Sequence, residues 1–157
     1  MKILISSCVF GNEVRWNGKS RLDREIKEWA HKMGLELVPI CPEHELFGTP
    51  RRPIRLEDAF GDARAIMGQE DVTDRLKDKS RQIRARHRDV VGFIGIAKSP
   101  TCSHSAGVYK VGRQVKGAMH EDAPFPTTEI NSMRTARGRM EFLDRIVRYM
   151  TFGSTGK

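Results

Sequence analysis

The sequence contains only three cysteines, Cys8, Cys41 and Cys102. An odd number of widely spaced cysteines does not match the paired disulfide framework of a small secreted domain. The sequence also has no run of about 18 apolar residues and no signal-peptide pattern near residue 1, so we expect neither a membrane anchor nor export. These absences predict a cytoplasmic protein whose cysteines stay thiols and serve as packing residues, nucleophiles or metal ligands.

Charge is plentiful and unbalanced, with 28 basic against 20 acidic residues in a chain of 157 and a formal net charge of +8. A surplus of this size favours a polyanionic partner such as a nucleic acid. The length suits a single domain with its own core. We predict one domain over residues 1–152 and a disordered tail over residues 153–157.

Short apolar segments alternate with segments of helical spacing. Residues 3–5, 35–40 and 90–97 have the apolar and β-branched composition of buried strands. Residues 20–34 and 73–89 have helical spacing, with Ser20 and Thr73 as expected N-caps. This order of strand, helix, strand, helix, strand predicts an α/β fold with a mainly parallel sheet.

The remaining segments give weaker patterns. We expect a long irregular excursion over residues 47–68, with a possible edge strand at 54–56, and a hairpin-like or loop segment after Cys102. A last helix is predicted over residues 137–152, with an apolar stripe formed by Met140, Leu143, Ile146, Val147 and Met150.

Each cysteine lies just after a predicted strand or in the turn that follows it. Ligands of such sheets bind in the crevice outside the carboxyl ends of the strands. Cys8, Cys41 and Cys102 are far apart along the chain, yet a parallel sheet would bring them to one edge. We therefore expect three thiols to converge on a single site.

Three stretches together resemble the thiouracil desulfidase (TudS-like) family: "ISSCVFGNEVRWNG", "LVPICPE" and "KSPTCS". "GTPRRPIRL" and "EDVT" are similar to its intervening region, so the resemblance spans roughly residues 1–117. The end of the chain, with the predicted helix 137–152, resembles the linker and first helix of two-domain members. In those members a second helical domain follows and the substrate is 4-thiouridine in tRNA.

The resemblance implies a Rossmann-like three-layer α/β fold and an iron–sulfur enzyme. Its cofactor would be a 4Fe-4S cluster held by Cys8, Cys41 and Cys102, with the fourth iron open. The implied reaction replaces the thiocarbonyl sulfur of thiouracil or 4-thiouridine with oxygen and releases sulfide. Glu43 and Ser99 would be the catalytic side chains, acting on water and on the pyrimidine edge.

The chain departs from the family pattern on both sides of the third cysteine. Thr101 stands where the family has serine, which keeps a hydroxyl. Ser103 stands where the family usually has glycine, which adds a Cβ at a position that could need glycine's backbone freedom.

Other interpretations of these residues remain open. A zinc site could form from the cysteines with His44 or His104, and Glu43 could only cap a helix. Arg15 and Trp16 could stack on a base, although Trp16 could equally belong to the core. A protein that binds RNA or senses iron–sulfur clusters without catalysis is the main functional alternative.

The helix predicted over residues 73–89 is strongly basic. Such a run is often only a solvated face, but it could instead contact the phosphates of tRNA, with "PRRPIR" at residues 50–55 adding to the patch. The basic residues of this helix are Arg75, Lys77, Lys79, Arg81, Arg84, Arg86 and Arg88.

Overall fold

The computed structural model describes residues 1–153. The strands of this part of the chain are β1 (Lys2–Ser6), β2 (Glu36–Ile40), β3 (Ile54–Ala59), β4 (Asp62–Met67), β5 (Glu70–Asp71), β6 (Val90–Gly95), β7 (Ala106–Gly107), β8 (Gln114–Val115) and β9 (Thr127–Glu129). The helices are α1 (Ser7–Phe10), α2 (Arg24–Lys32), α3 (Pro42–Phe47), α4 (Thr73–Arg86), α5 (Ile130–Met133) and α6 (Ala136–Phe152).

A four-stranded parallel sheet forms the centre of the fold, in the order β2-β1-β6-β9. Strand β1 is central because its side chains are apolar on both faces, and Ile3, Leu4 and Ile5 are completely buried. This arrangement confirms the predicted α/β class with a mainly parallel sheet. All four strands point the same way, so their carboxyl ends lie along one edge.

Helices cover both faces of this sheet. Right-handed crossovers require α2, which joins β1 to β2, and α4, which leads to β6, to lie on opposite faces. Helix α6 lies beside α2, with Arg139 and Glu25 3.6 Å apart. Phe142 and Ile146 of α6 are fully buried and lie over Gly92 of β6. The result is the three-layer, Rossmann-like architecture that the resemblance implied.

The predicted helix ends need correction. Helix α2 begins after Asp23, whose carboxylate accepts a hydrogen bond from the Ile26 amide at 3.1 Å, and not after Ser20. An aspartate closer to the apolar stripe is the better placed acceptor. Thr73 does not cap α4, because its hydroxyl lies between Asp71 and the Ala65 amide and ties the helix to β4.

The predicted bounds of the last helix are nearly those of α6, but its buried face differs from the prediction. The buried residues are Phe142 and Ile146, while Met140, Val147 and Met150 are more than half exposed. Two apolar stripes run along this helix, and sequence spacing alone did not identify the one that packs on β6. The predicted disordered tail, residues 153–157, lies outside the described residues except for Gly153.

The excursion between α3 and α4 is more regular than predicted. Strands β3, β4 and β5 form a separate antiparallel sheet, in which the suggested edge strand at 54–56 is only the start of β3. Strands β7 and β8 form the expected hairpin, whereas the short strand β9 was not predicted. Within the described residues, no helix is long and apolar enough to cross a membrane.

Candidate active site

A cavity of about 220 Å³ opens at the carboxyl edge of the parallel sheet. Its walls come from the segments that follow β1, β2 and β6, and from the start of the inserted sheet. All five residues proposed from the sequence line it: Cys8, Cys41, Glu43, Ser99 and Cys102. The structure therefore brings together groups that are up to about a hundred positions apart in the sequence.

The three cysteines reach the cavity from three different backbone settings. Cys8 lies in the short helix α1, directly after β1, and Cys41 is the N-cap residue of α3. The Cys41 sulfur accepts a hydrogen bond from the His44 amide at 3.4 Å. Cys102 lies in the turn after β6 and is 6% exposed. Three residues from different parts of the chain thus bring thiols to one cavity.

Burial raises the pKa of each of the three cysteine thiols that line the cavity. Burial raises the pKa of Cys8, with Arg15 acting in the opposite direction. Burial likewise raises the pKa of Cys41 to about 11. The pKa of Cys102 lies well above its usual value because the residue is buried and Cys41 is close by.

The turn that carries Cys102 is fixed by its backbone. The Cys102 carbonyl oxygen accepts hydrogen bonds from the Ile96 amide at 3.1 Å and from His120 Nε2 at 2.8 Å. A Cβ built on Gly95 would come within 1.9 Å of that same oxygen, so β6 must end in glycine for the turn to fold back. These contacts fix the position of Cys102 at the end of β6.

Glu43 lies in the first turn of α3 and is held by three partners. Its Oε2 accepts a hydrogen bond from Arg51 Nη2 at 2.8 Å, and the Arg51 side chain is only 4% exposed. Its Oε1 accepts one from Thr101 Oγ1 at 2.8 Å and a longer one from Ser99 Oγ at 3.5 Å. The carboxylate therefore has a fixed orientation, which a simple helix-capping role would not require.

Arg51 was not predicted as part of the site. The sequence placed it in a basic stretch suited to phosphates, but its guanidinium is buried and also donates to the carbonyl oxygens of Val14 and Gly48. Arg51 lies 8 positions after Glu43, a spacing that does not indicate contact along one helix or strand, so only the folded structure reveals the pair. Thr101 keeps the hydroxyl that the family's serine would supply and uses it on Glu43.

Ser99 shapes the cysteine turn. Its Oγ accepts hydrogen bonds from the amides of Thr101 and Cys102 at 3.2 and 3.0 Å. The side chain thus joins the carboxylate of Glu43 to the backbone that carries the third thiol.

Ser103 does not occupy a backbone conformation that needs glycine. Its φ is not in the left-handed region, where Lys98 of the same loop does lie. The side chain is completely buried and donates to Glu129 Oε1 at 2.6 Å. Glu129, at the end of β9, also accepts from the amides of His104 and Ser105. The serine therefore ties the loop after Cys102 to strand β9 at the edge of the parallel sheet.

Cations and one aromatic ring surround the mouth of the cavity. Arg15, Arg21 and Lys98 line it, and none of them makes a salt bridge within residues 1–153. Trp16 lines it too and is 46% exposed, so it is a surface residue and not part of the core. A planar ring could stack on this indole.

The match to a family model covers residues 3–132 and carries the description 2-thiouracil desulfurase. The chain belongs to this family. A solved structure described as "[4Fe-4S]-dependent thiouracil desulfidase TudS" superposes with a TM-score of 0.67 at 18% sequence identity. The superposition covers 89% of this chain and 97% of that one, and it supports the fold. A search of curated proteins gave no significant match.

The histidines considered for zinc are placed elsewhere. Neither His44 nor His104 is among the residues that line the cavity; His44 Nδ1 lies 2.7 Å from Thr49 Oγ1, and His104 packs against the ring of His120. In the part of the chain that the structure describes, no three side chains of the His, Cys, Asp or Glu type form a site for a single metal ion.

Most of the basic residues on α4 are paired with acidic ones. Arg75 Nη1 lies 2.7 Å from Glu70, and Arg86 Nη2 lies 2.7 Å from Glu45. The others on the helix pair with carboxylates or with a backbone carbonyl oxygen: Lys77 with Glu121, Lys79 with Glu45, Arg81 with Asp78 and Arg84 with Ala118. Helix α4 ends at Arg86 and not at residue 89, so Arg88 lies beyond it and donates to the Ala85 carbonyl oxygen. Contact of this helix with tRNA stays a prediction.

Proposed function

We propose that this protein replaces the thiocarbonyl sulfur of a thiolated uracil with oxygen and releases sulfide. The observation that carries the proposal is the convergence of three thiols and an oriented carboxylate, Glu43, on one cavity. Membership of the 2-thiouracil desulfurase family supports the same reaction. The solved structure with this fold is described as a [4Fe-4S]-dependent enzyme, which supports the same cofactor.

The donor set of the cavity fits a 4Fe-4S cluster held by Cys8, Cys41 and Cys102. Such clusters ordinarily take four cysteine thiolates, so three would leave one iron without a protein ligand. Burial disfavours each thiolate on its own, and iron would supply the positive charge that stabilises it. When bound, the cluster would supply a soft Lewis acid that polarises the thiocarbonyl.

Glu43 is the group that takes a proton from water in this proposal. The net reaction converts C=S and water into C=O and hydrogen sulfide, so no external electron donor is needed. The attacking water must lose a proton as its oxygen bonds to the pyrimidine carbon, and the departing sulfur must gain one. Arg51 and Thr101 hold the carboxylate in the orientation that such proton transfer requires.

Ser99 and Trp16 complete the site in this proposal. Ser99 couples the position of Glu43 to the turn that carries Cys102, so the base and the third thiol keep their spacing. Trp16 offers a half-exposed indole face on which a pyrimidine ring can stack. We propose a thiolated uracil as the common unit of the substrate, carried as free base, as 4-thiouridine nucleoside or within tRNA.

The main alternative is a protein that binds RNA or senses iron–sulfur clusters without catalysis. The function of such a protein does not require a carboxylate that a buried arginine holds in place beside the thiols. The Arg51–Glu43 pair, with side chains 4% and 13% exposed, is costly to bury and sits at the cavity wall. This pair favours the enzyme.

The test is anaerobic reconstitution followed by substrate addition. Iron, acid-labile sulfide and visible absorption are measured first, and then 2-thiouracil, 4-thiouracil, 4-thiouridine and thiolated tRNA are each added while the thiocarbonyl band is followed. We expect a brown protein that bleaches at least one of these substrates and releases sulfide. A protein that binds no cluster, or binds one and bleaches none of them, would overturn the proposal.

A further inference from the structure

Ser6 carries a buried hydroxyl that has no hydrogen-bond partner. The residue is the last of β1 and only 2% exposed, and its Oγ neither donates nor accepts within the described residues. Leaving a buried polar group unpaired costs about 1–3 kcal/mol, so such groups are uncommon in folded proteins. This hydroxyl therefore needs an explanation.

The hydroxyl is also not used for the local task that serine usually has at this position. Ser6 is the N-cap residue of α1, where a serine side chain ordinarily accepts from an amide of the first turn. Here no side-chain cap is made. The next residue, Ser7, does have a partner, since its Oγ accepts from Asn12 Nδ2 at 2.7 Å. Of these two neighbouring serines, only Ser6 lacks a partner among the described residues.

Ser6 and Cys102 line the same cavity. Ser6 ends β1 and Cys102 lies in the turn after β6, and these two strands are neighbours in the sheet. Burial and the nearby Cys41 raise the pKa of Cys102, and the Ser6 hydroxyl acts in the opposite direction, as a donor to the thiolate does. A neutral thiol is only a weak acceptor, whereas a thiolate is a strong one.

The hydroxyl oxygen of Ser6 has almost no exposed surface, although the cavity that the residue lines is open. Contact of this oxygen with water or a substrate is therefore restricted. The sulfur of Cys102, in the same cavity, becomes a strong acceptor for this donor as a thiolate.

We infer that Ser6 donates a hydrogen bond to the Cys102 sulfur when that sulfur is an iron-bound thiolate, and that it is a positioning residue for the cluster. This inference rests on the cluster of the proposed function. Hydrogen bonds to ligand sulfur are among the factors that set the reduction potential of a cluster, and outer partners of metal ligands support metal retention. A donor stabilises the reduced, more negative state more than the oxidised state.

The test compares Ser6→Thr with Ser6→Val in the reconstituted full-length protein. The two variants have the same shape, so any steric cost is shared and only the hydroxyl differs. We expect Ser6→Val to lower the cluster's reduction potential and to speed cluster loss to an iron chelator about tenfold relative to Ser6→Thr. Equal potentials and equal loss rates in the two variants would overturn the inference.

A second pair of variants covers the case in which the larger side chains prevent folding. Ser80 in α4 is a matched control, because its Oγ is also buried and has no partner among the described residues, but it does not line the cavity. We expect Ser6→Ala to lower the potential and Ser80→Ala to leave it unchanged. If Ser6→Ala leaves it unchanged too, the inference is wrong.

Failure of the proposed function would look different. A wild-type protein that takes up no cluster, or takes one up without turning over a thiolated substrate, fails before any Ser6 variant is compared. A wild-type protein that is loaded and active, with Ser6 variants of unchanged potential, refutes only the role of Ser6.

Discussion

The carboxyl edge of the parallel sheet and helix α4 are both rich in polar groups, but they are built in opposite ways. On α4, cations meet carboxylates, as Arg86 meets Glu45 and Arg75 meets Glu70. At the sheet edge, burial raises the pKa of all three thiols, and the Ser6 hydroxyl has no hydrogen-bond partner among the described residues. Groups left uncompensated in this way lower stability and are retained where a ligand completes them.

The largest effect should come from replacing the thiols, because burial at the carboxyl edge of the sheet raises the pKa of all three. Replacing Cys8, Cys41 or Cys102 by serine removes one of the three proposed ligands, and we expect loss of the cluster and of turnover to background. Iron content and visible absorption after anaerobic reconstitution measure this. A variant that kept a full complement of iron and sulfide would show that its cysteine is not a ligand.

The second largest effect is expected on kcat and separates two glutamates of helix α3. Glu43→Gln keeps the shape of the side chain but removes the base, so we expect kcat to fall roughly 10²- to 10⁴-fold while the cluster stays bound. Glu45 of α3 pairs with Arg86 at the surface, and Glu45→Gln should leave kcat unchanged. Initial rates with equal cluster loading provide the measurement, and similar rates for the two variants would remove Glu43 from the mechanism.

The third effect is on the free energy of unfolding and separates two arginines, each of which pairs with a glutamate. Arg51→Met leaves Glu43 buried and unpaired, so we expect a loss of about 3–5 kcal/mol in the free energy of unfolding. Arg86→Met breaks an exposed pair and should cost at most about 1 kcal/mol. Urea unfolding of the proteins without cluster measures both. Equal losses would mean that the Arg51–Glu43 pair behaves as a surface pair.

The smallest effect concerns charge at the mouth of the cavity. Replacing Arg15, Arg21 and Lys98 by glutamine should lower kcat/KM for thiolated tRNA about tenfold and weaken its dependence on salt. Replacing Arg75, Arg81 and Arg86 of α4 by glutamine changes the net charge equally and should have less effect, because these cations already have partners. The opposite ranking would assign RNA contact to α4.

The fold was predictable where burial requires a recognisable run of apolar residues. The runs around Ile3 and Phe93 are apolar because strands of a parallel sheet are covered on both faces, and their order fixed the edge on which the cysteines meet. The inserted sheet β3–β5 was not predictable, since its residues are largely half-exposed and charged. Strand β9 is too short to leave a pattern.

The candidate site was predictable only in part, because its residues carry different kinds of signal. The cysteines and Glu43 lie in short motifs, and the structure places them in one cavity. Arg51 and Ser6 carry no such signal: an arginine in a basic stretch and a serine at a strand end are common. Their roles depend on burial and on the identity of distant neighbours, which only the folded chain reveals.

The position of β1 in the middle of the sheet has a consequence for biosynthesis. The ribosome releases Cys8 first, but β1 cannot be flanked on both sides until β6 has been made, and Cys102 follows only then. At roughly 5–20 residues per second, several seconds separate the first thiol from the last. Under the proposed function, a nascent chain therefore lacks the complete set of cysteine ligands, and iron–sulfur delivery would follow release of this part of the polypeptide from the exit tunnel and its folding.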